Sequence, residues 1–176
     1  MSLAPADYDF GEPANYAFAE SVTCANDEAR KMYVEAHGHM LNYNHEQAIA
    51  CFMKCTELDP NCAMAWWGIA YCVSSNYNWS PGLGSGYDPI QQALKVMDHC
   101  TELEQDLIRA LSTRHSKEAR DAADPTVLNM GNDMELNVAF AEAMAPLHEK
   151  YAGNLDVTAI YVEALMNLKA WQLWDK

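Results

Sequence analysis

The fold is decided by residues 42–79, which begin Asn42-Tyr43-Asn44-His45-Glu46-Gln47-Ala48-Ile49-Ala50-Cys51-Phe52. They continue through Leu58-Asp59-Pro60-Asn61-Cys62-Ala63-Met64-Ala65-Trp66-Trp67-Gly68 and close with Asn76-Tyr77-Asn78-Trp79. Ala48, Phe52 and Cys55 recur at i, i+4 and i+7, which places them on one face of a helix. Pro60 cannot continue that helix and biases Asp59 away from helical angles. The stretch therefore predicts a helical hairpin, with Asn44 capping the first helix, paired with Gln47, and Asn61 capping the second.

The spacing of small and aromatic residues in this hairpin resembles that of the tetratricopeptide (TPR) repeat. The repeat has Ala, Phe and a small residue on its second helix, then Pro, and Trp in the next repeat. Here the corresponding pattern is Ala48-x3-Phe52-x2-Cys55-x4-Pro60-x5-Trp66. This resemblance implies an all-α fold, a right-handed solenoid of stacked helical hairpins.

Three segments resemble the opening of a largely uncharacterised family of TPR-containing proteins from bacteria and eukaryotes. They are Tyr43-Asn44-His45-x-x-Ala48, Leu58-Asp59-Pro60-x-Cys62-Ala63-Met64-Ala65-x-Trp67-Gly68 and Asn76-Tyr77-Asn78. The similarity covers most of residues 30–175. Family members are longer and carry a histidine-rich second half, so the resemblance implies that this chain is the N-terminal half of such a protein. It also implies a site around His45 that the second half completes.

Composition favours a single acidic globular domain. The chain has 176 residues, of which 50% are hydrophobic, enough to bury an ordinary core. Its net charge is -14, with 11 Lys and Arg against 25 Asp and Glu, so we expect it to bind neither nucleic acid nor an anionic membrane. No apolar run approaches the length of a membrane span. The six cysteines form no Cys-x-x-Cys pair, and we interpret them as small buried side chains of a cytoplasmic protein.

Apolar periodicity predicts an N-terminal arm at residues 1–25 and a helical repeat domain at residues 26–176. The domain contains about seven helices, and one helical turn within residues 15–19 is possible in the arm. Asp88 and Asp156 are predicted caps, Thr101 and Glu104 a capping box. Residues 115–131 are polar and predict a linker with at most one short turn. Three helix pairs and an unpaired seventh helix make an incomplete stack, so we expect residues 157–176 to contact a protein partner or the missing half.

Paired helices place their turns along one edge of a solenoid, which predicts a site there. That edge collects His45 and His115, with His39 one turn below. Neutral imidazoles suit zinc, copper or iron, so these three histidines are candidate metal ligands. The alternative is that His45 hydrogen-bonds locally while His39 and His115 are solvated.

Two functions remain open from the sequence. The first is a scaffold that offers an aromatic-lined, acidic surface to a peptide or partner chain. Its candidate binding residues are Tyr43, Asn44, Glu46, Trp67, Tyr71, Asn76, Asn78 and Trp79. The second is half of a metal-dependent enzyme, hydrolytic or redox, with its metal at His45. The sequence assigns no catalytic residue.

Overall fold

The computed structural model describes residues 17–74, 76–77, 86–122 and 134–172. Throughout these residues the regular structure is helical, without strands, which confirms the predicted all-α fold. The helices are α1 (Ala17–Ser21), α2 (Asp27–Leu41), α3 (His45–Leu58), α4 (Ala63–Val73), α5 (Tyr87–Val96), α6 (Glu102–Ser112), α7 (Lys117–Ala122), α8 (Met134–Lys150) and α9 (Leu155–Asn167), and a 3-10 turn (Met97–His99) follows α5. None of the helices described is both long and apolar enough to cross a membrane.

Seven of these helices correspond to the predicted ones, and two short helices are additional. Helix α1 lies in the predicted arm, where the sequence allowed one helical turn. Helix α7 lies in the predicted linker. They contain five and six residues, too few for an apolar period to be visible in the sequence. Pro146 lies inside α8.

The longer helices pack in chain order. From α2 to α6 each helix contacts the next, and α8 contacts α9. Alternate helices also touch, since α2 contacts α4, α4 contacts α6, and α6 contacts α8. These contacts are consistent with a helical solenoid, and the assignment to TPR repeats stays a prediction.

Helices α3 and α4 approach closely at Gly68. A Cβ atom added there would lie 2.3 Å from Cζ of Phe52, a ring that is fully buried. Only a residue without a side chain lets the two helices pack at this distance. Phe52 on α3 and Gly68 on α4 therefore form one close contact between the two helices.

Glu104 joins α6 to the segment before α2. The predicted capping box is confirmed, since Thr101 donates from its backbone N–H and hydroxyl to Glu104 at 2.8 and 2.7 Å. The same carboxylate accepts hydrogen bonds from the backbone N–H and hydroxyl of Thr23, both at 2.7 Å. Glu104 is 1% exposed, so its charge is stabilised by four donors rather than by water.

The structure differs from the predictions for the N-caps of α3 and α4, which were Asn44 and Asn61. Asn44 is the N-cap residue of α3, but its side chain makes no capping hydrogen bond. The next helix has Cys62, not Asn61, as its N-cap. The reason is that Asp59 closes this turn, because its Oδ1 accepts from the backbone N–H of Asn61 at 3.0 Å.

Two further cap predictions are wrong. Helix α9 is capped by Asn154, whose side chain accepts from the N–H of Val157 at 3.0 Å. Asp156 instead bonds Nε2 of the buried His37 at 2.6 Å. Helix α5 has Gly86 as its N-cap, so Asp88 lies in the first turn.

Candidate functional site

The carboxylate of Glu163, on α9, accepts hydrogen bonds from two tyrosines that lie far away in sequence. Tyr71, on α4, donates to Oε2 at 2.6 Å. Tyr43, in the loop before α3, donates to the same oxygen at 3.4 Å. Glu163 is partly exposed, and both of its hydrogen bonds to described tyrosines use Oε2 rather than Oε1. We call Tyr43, His45, Tyr71, Tyr77 and Glu163 the Glu163 cluster.

Aromatic rings border the carboxylate. Tyr43 stacks on His45 with ring centroids 5.7 Å apart and meets the edge of Tyr77 at 5.9 Å. Tyr71 stacks on Trp67 at 5.1 Å. Because Tyr43 is 42% exposed, the rings form a surface that a ligand can reach from solvent. The ring faces carry negative potential and attract cations.

The backbone at Tyr43 is held in an unusual conformation. Its φ is 59°, in the left-handed region that a tyrosine occupies at a cost of about 1–3 kcal/mol. Two turn hydrogen bonds support it, from the N–H of Tyr43 to the carbonyl of Met40 at 3.0 Å and from the N–H of Asn44 to the carbonyl of His39 at 2.9 Å. This turn aims the Tyr43 ring at His45 and Glu163.

His45 is fixed in one orientation. Its Nδ1 lies 3.1 Å from the carbonyl oxygen of Cys72, and a carbonyl can only accept, so Nδ1 carries the proton. The other nitrogen, Nε2, is buried and has no hydrogen-bond partner among the described residues. Burial lowers the pKa of His45, and the charge of Glu163 opposes that shift only in part. The side chain is thus a neutral imidazole with a lone pair on Nε2.

Both tyrosines remain protonated donors. Burial raises the pKa of Tyr71 and of Tyr43 above their usual value, and the charge of Glu163 raises both further. Their hydroxyls therefore donate to the carboxylate at any pH in ordinary use.

A second polar pair lies between α6 and α8. Arg114 is 6% exposed and donates from Nε to Oδ1 of Asn137 at 2.9 Å, with its guanidinium over the ring of Phe140. Burial lowers its pKa, and the negative charge of Glu163 opposes this shift, so the Glu163 carboxylate and the Arg114 guanidinium interact electrostatically. None of the ion pairs of the described residues includes Glu163.

Asn167 extends the polar face of α9. It lies four residues after Glu163, hence on the same helix face. It is 1% exposed, and neither its Oδ1 nor its Nδ2 has a partner among the described residues. A buried amide without hydrogen-bond partners costs free energy. We therefore expect a polar ligand or a water molecule to bind at this face of α9.

The predicted binding residues fall into several environments. Tyr43 and Tyr71 belong to the Glu163 cluster, and Asn76 is buried close in sequence to Tyr77. Trp67 is fully buried and donates to the carbonyl of Leu107 at 3.1 Å, so it is a core residue that supports Tyr71. Asn44 and Glu46 are exposed, and Asn78 and Trp79 lie outside the described residues.

The three histidines predicted as metal ligands do not form one group. Within the described residues, three or more ligand atoms come within 4.8 Å of one another only at Cys24, Cys55 and Cys62 and at Glu35, His39 and Cys51. His39 therefore lies with a different set of side chains from His45. The alternative prediction, in which His115 is solvated, does not describe its environment. Its Nε2 lies 3.3 Å from the hydroxyl of Ser74. Burial, helped by the charge of Arg114, lowers the pKa of His115 to about 3.

Sequence reasoning did not single out Glu163 or the three clustered cysteines. A signal for Glu163 was present, since it is an acid in an otherwise apolar helix with an asparagine one turn later. For the cysteines, only Cys55 and Cys62 are near in sequence, seven residues apart, and Cys24 joins them through folding.

Comparisons with family models, with curated proteins and with solved structures found no match for this chain. The assignment to the TPR-containing family therefore remains a prediction from the quoted segments.

Proposed function

We propose that the chain is a helical-repeat binding module that receives a cationic side chain of a partner polypeptide at the Glu163 cluster. The observation that carries this proposal is the partly exposed Glu163 carboxylate, held by two tyrosine hydroxyls and bordered by aromatic rings. An ammonium or guanidinium group there meets a carboxylate oxygen and ring faces together, which is favourable recognition chemistry for a cation. The net charge of -14 also favours a basic partner over an acidic one.

Exposed apolar residues on the last two helices support a polypeptide rather than a small cation. Of nine exposed large hydrophobic residues among the described ones, six lie on the last two helices or just after them. They are Met134, Val138, Leu155, Val162, Leu165 and Trp171. Surfaces of this kind commonly bind proteins. Val162, Leu165 and Trp171 lie within residues 157–176, in keeping with the partner surface predicted there.

Selection from a random peptide library tests this proposal. We expect the wild-type chain to enrich peptides with lysine or arginine next to apolar residues. A synthetic copy of an enriched peptide, followed by fluorescence anisotropy, should bind Glu163→Gln at least about tenfold more weakly, as loss of a charge-assisted hydrogen bond predicts.

The matched control is Glu28→Gln, which removes an exposed acid in the first turn of α2, outside the cluster, and should leave the affinity unchanged. The proposal is overturned if no peptide is enriched, if enriched peptides lack cations, or if both variants bind like the wild type.

A second function, the metal-dependent enzyme, has one observation in its favour. His45 is held through Nδ1 by a backbone carbonyl while Nε2 is buried with a lone pair, the arrangement typical of a metal-binding histidine. Metal content of protein purified without an affinity tag tests it. This function predicts one equivalent more zinc, copper or iron in the wild type than in His45→Ala, and the same content in both proteins would exclude His45 as the ligand.

A further inference from the structure

Three cysteine thiols meet where α2, α3 and α4 come together. Cys24 precedes α2, Cys55 lies in the last turn of α3, and Cys62 is the N-cap of α4. The sulfur atoms all lie within 4.8 Å of one another, and those of Cys24 and Cys62 are 3.3 Å apart. Cys55 follows His45 by ten residues on α3, about 15 Å along the helix axis, so this group is separate from the Glu163 cluster.

The spacing of the sulfur atoms fits a shared metal ion. With metal–sulfur bonds of about 2.3 Å, thiolates in a tetrahedral site lie about 3.8 Å apart. Small side-chain rotations from the observed positions are enough to reach that distance. Of the three thiols, Cys55 and Cys62 are fully buried, so water does not compete for them.

Asp59 preorganises the segments that carry Cys24 and Cys62. It is 4% exposed, and its Oδ2 accepts from the N–H of Ala25 at 2.7 Å while its Oδ1 accepts from the N–H of Asn61. One carboxylate thus holds the residue after Cys24 and the residue before Cys62. Because both loops are fixed to the same side chain, the sulfur atoms need little rearrangement to bind an ion.

An open pocket gives access to the group. It has a volume of about 510 Å³, and Cys24, Asp59, Asp98 and His99 are among its lining residues. Cys24 is partly exposed, so an ion that enters the pocket meets its sulfur first. The pocket also provides room for a water molecule, or for His99, as a fourth ligand.

The charges near the group are compatible with a divalent ion. Three thiolates, the Asp59 carboxylate and Zn²⁺ sum to two negative charges. The guanidinium of Arg30 lies beside this group, donating to the carbonyl of Cys24 at 3.4 Å and to that of Val22. Its positive charge offsets one of them, and Lys95 lines the adjoining pocket.

We propose that Cys24, Cys55 and Cys62 form a binding site for a thiophilic d10 metal ion, Zn²⁺, with a fourth position open to the pocket. The cysteines are free thiols, so binding displaces their protons to solvent as each sulfur becomes a thiolate ligand. The site uses none of the residues of the Glu163 cluster, and it stands or falls independently of the proposed function.

The test uses the full reduced chain under anaerobic conditions, with Co²⁺ as a spectroscopic probe and Zn²⁺ as its competitor. We expect one equivalent of Co²⁺ with a thiolate-to-metal charge-transfer band, displaced by one equivalent of Zn²⁺. Cys24→Ser should abolish the band and weaken Zn²⁺ binding by at least about 100-fold, more than the loss of an outer-shell partner does. Circular dichroism confirms that this variant, altered at a partly exposed residue, is folded.

Two further variants make the assignment specific. Cys62→Ala removes a buried ligand and should give the same loss as Cys24→Ser. Cys51→Ser removes the thiol of the Glu35, His39 and Cys51 group and should leave binding unchanged. The proposal is overturned if the reduced chain binds no metal, if the Co²⁺ complex lacks a thiolate band, or if Cys51→Ser rather than Cys24→Ser abolishes binding. Quantitative Cys24–Cys62 disulfide formation in the presence of Zn²⁺ also overturns it, because a metal-bound thiolate pair is protected from oxidation.

Discussion

The hydroxyl of Tyr71 lies 2.6 Å from Oε2 of Glu163 and joins α4 to α9 across 92 residues of sequence. Helices α4 and α9 are far apart in chain order, so this hydrogen bond links the middle of the helical stack to its last helix. Tyr43 donates to the same oxygen at a longer distance, 3.4 Å. The two tyrosines therefore allow the contribution of the short bond to be measured against a longer one.

Tyr71→Phe should lower the free energy of unfolding by about 2 kcal/mol, because it removes a buried donor to a charged acceptor. Urea denaturation followed by circular dichroism measures the change. Tyr43→Phe is the matched control, and we expect a loss below about 0.5 kcal/mol because its hydrogen bond is long and its side chain exposed. Equal losses in the two variants would contradict a special role for the short bond.

Glu104→Gln should destabilise the chain by about 2–3 kcal/mol, because the amide keeps one oxygen acceptor and turns an NH₂ donor toward Thr23 and Thr101. The comparison variant is Glu102→Gln, which alters the exposed ion pair with Lys150 and should cost less than about 1 kcal/mol. Chemical denaturation of both variants gives the difference. A loss for Glu104→Gln no larger than that for Glu102→Gln would show that the four hydrogen bonds add no net stability.

Two helical glycines should respond to alanine with opposite signs. At Gly68 a Cβ atom would lie 2.3 Å from the Phe52 ring, so Gly68→Ala should cost about 1–3 kcal/mol through overpacking. At Gly38, inside α2, a Cβ atom would meet nothing within 4 Å. Gly38→Ala should therefore stabilise the chain by about 0.5–1 kcal/mol through helix propensity. Thermal unfolding of the pair tests the signs, and a stabilising Gly68→Ala would mean that the α3–α4 contact is looser than described.

Stability should fall as the pH drops below about 6.5, in part because of His115. Burial and the neighbouring Arg114 lower the pKa of its imidazole from 6.5 to about 3, so between these values the unfolded chain binds a proton that the folded chain does not. Each such proton lowers the free energy of unfolding by about 1.4 kcal/mol per pH unit. His115→Gln should flatten the profile of stability against pH between pH 6.5 and pH 4. A variant profile parallel to that of the wild type would assign the acid sensitivity to other groups, such as the buried His45.

Much of the helical structure was predictable because it depends on local rules. Apolar residues at helical spacing located seven helices, and the Thr101–Glu104 capping box has its two partners three residues apart. Predictions failed where a side chain found a partner elsewhere. Asp156 bonds His37, 119 residues away, and leaves the capping of α9 to Asn154.

The candidate site was predictable only in part for the same reason. Tyr43, Tyr71 and His45 could be named from the hairpin that contains them, whereas Glu163 meets them only after the chain has folded back. Trp67 was placed on the binding surface because helix α4 is apolar on two sides. Periodicity alone does not tell which of two apolar sides faces the core, and the structure places this ring in the core.

The hydrogen bonds between Thr23 and Glu104 also constrain the order in which the chain can acquire its structure. They join residues 81 positions apart, so they cannot form until α6 has emerged from the ribosome. The hairpin of α2 and α3 needs no such delay, because its contacts are local. During synthesis Thr23 is therefore made early, but its hydroxyl and N–H find their partner only after α6 has been made.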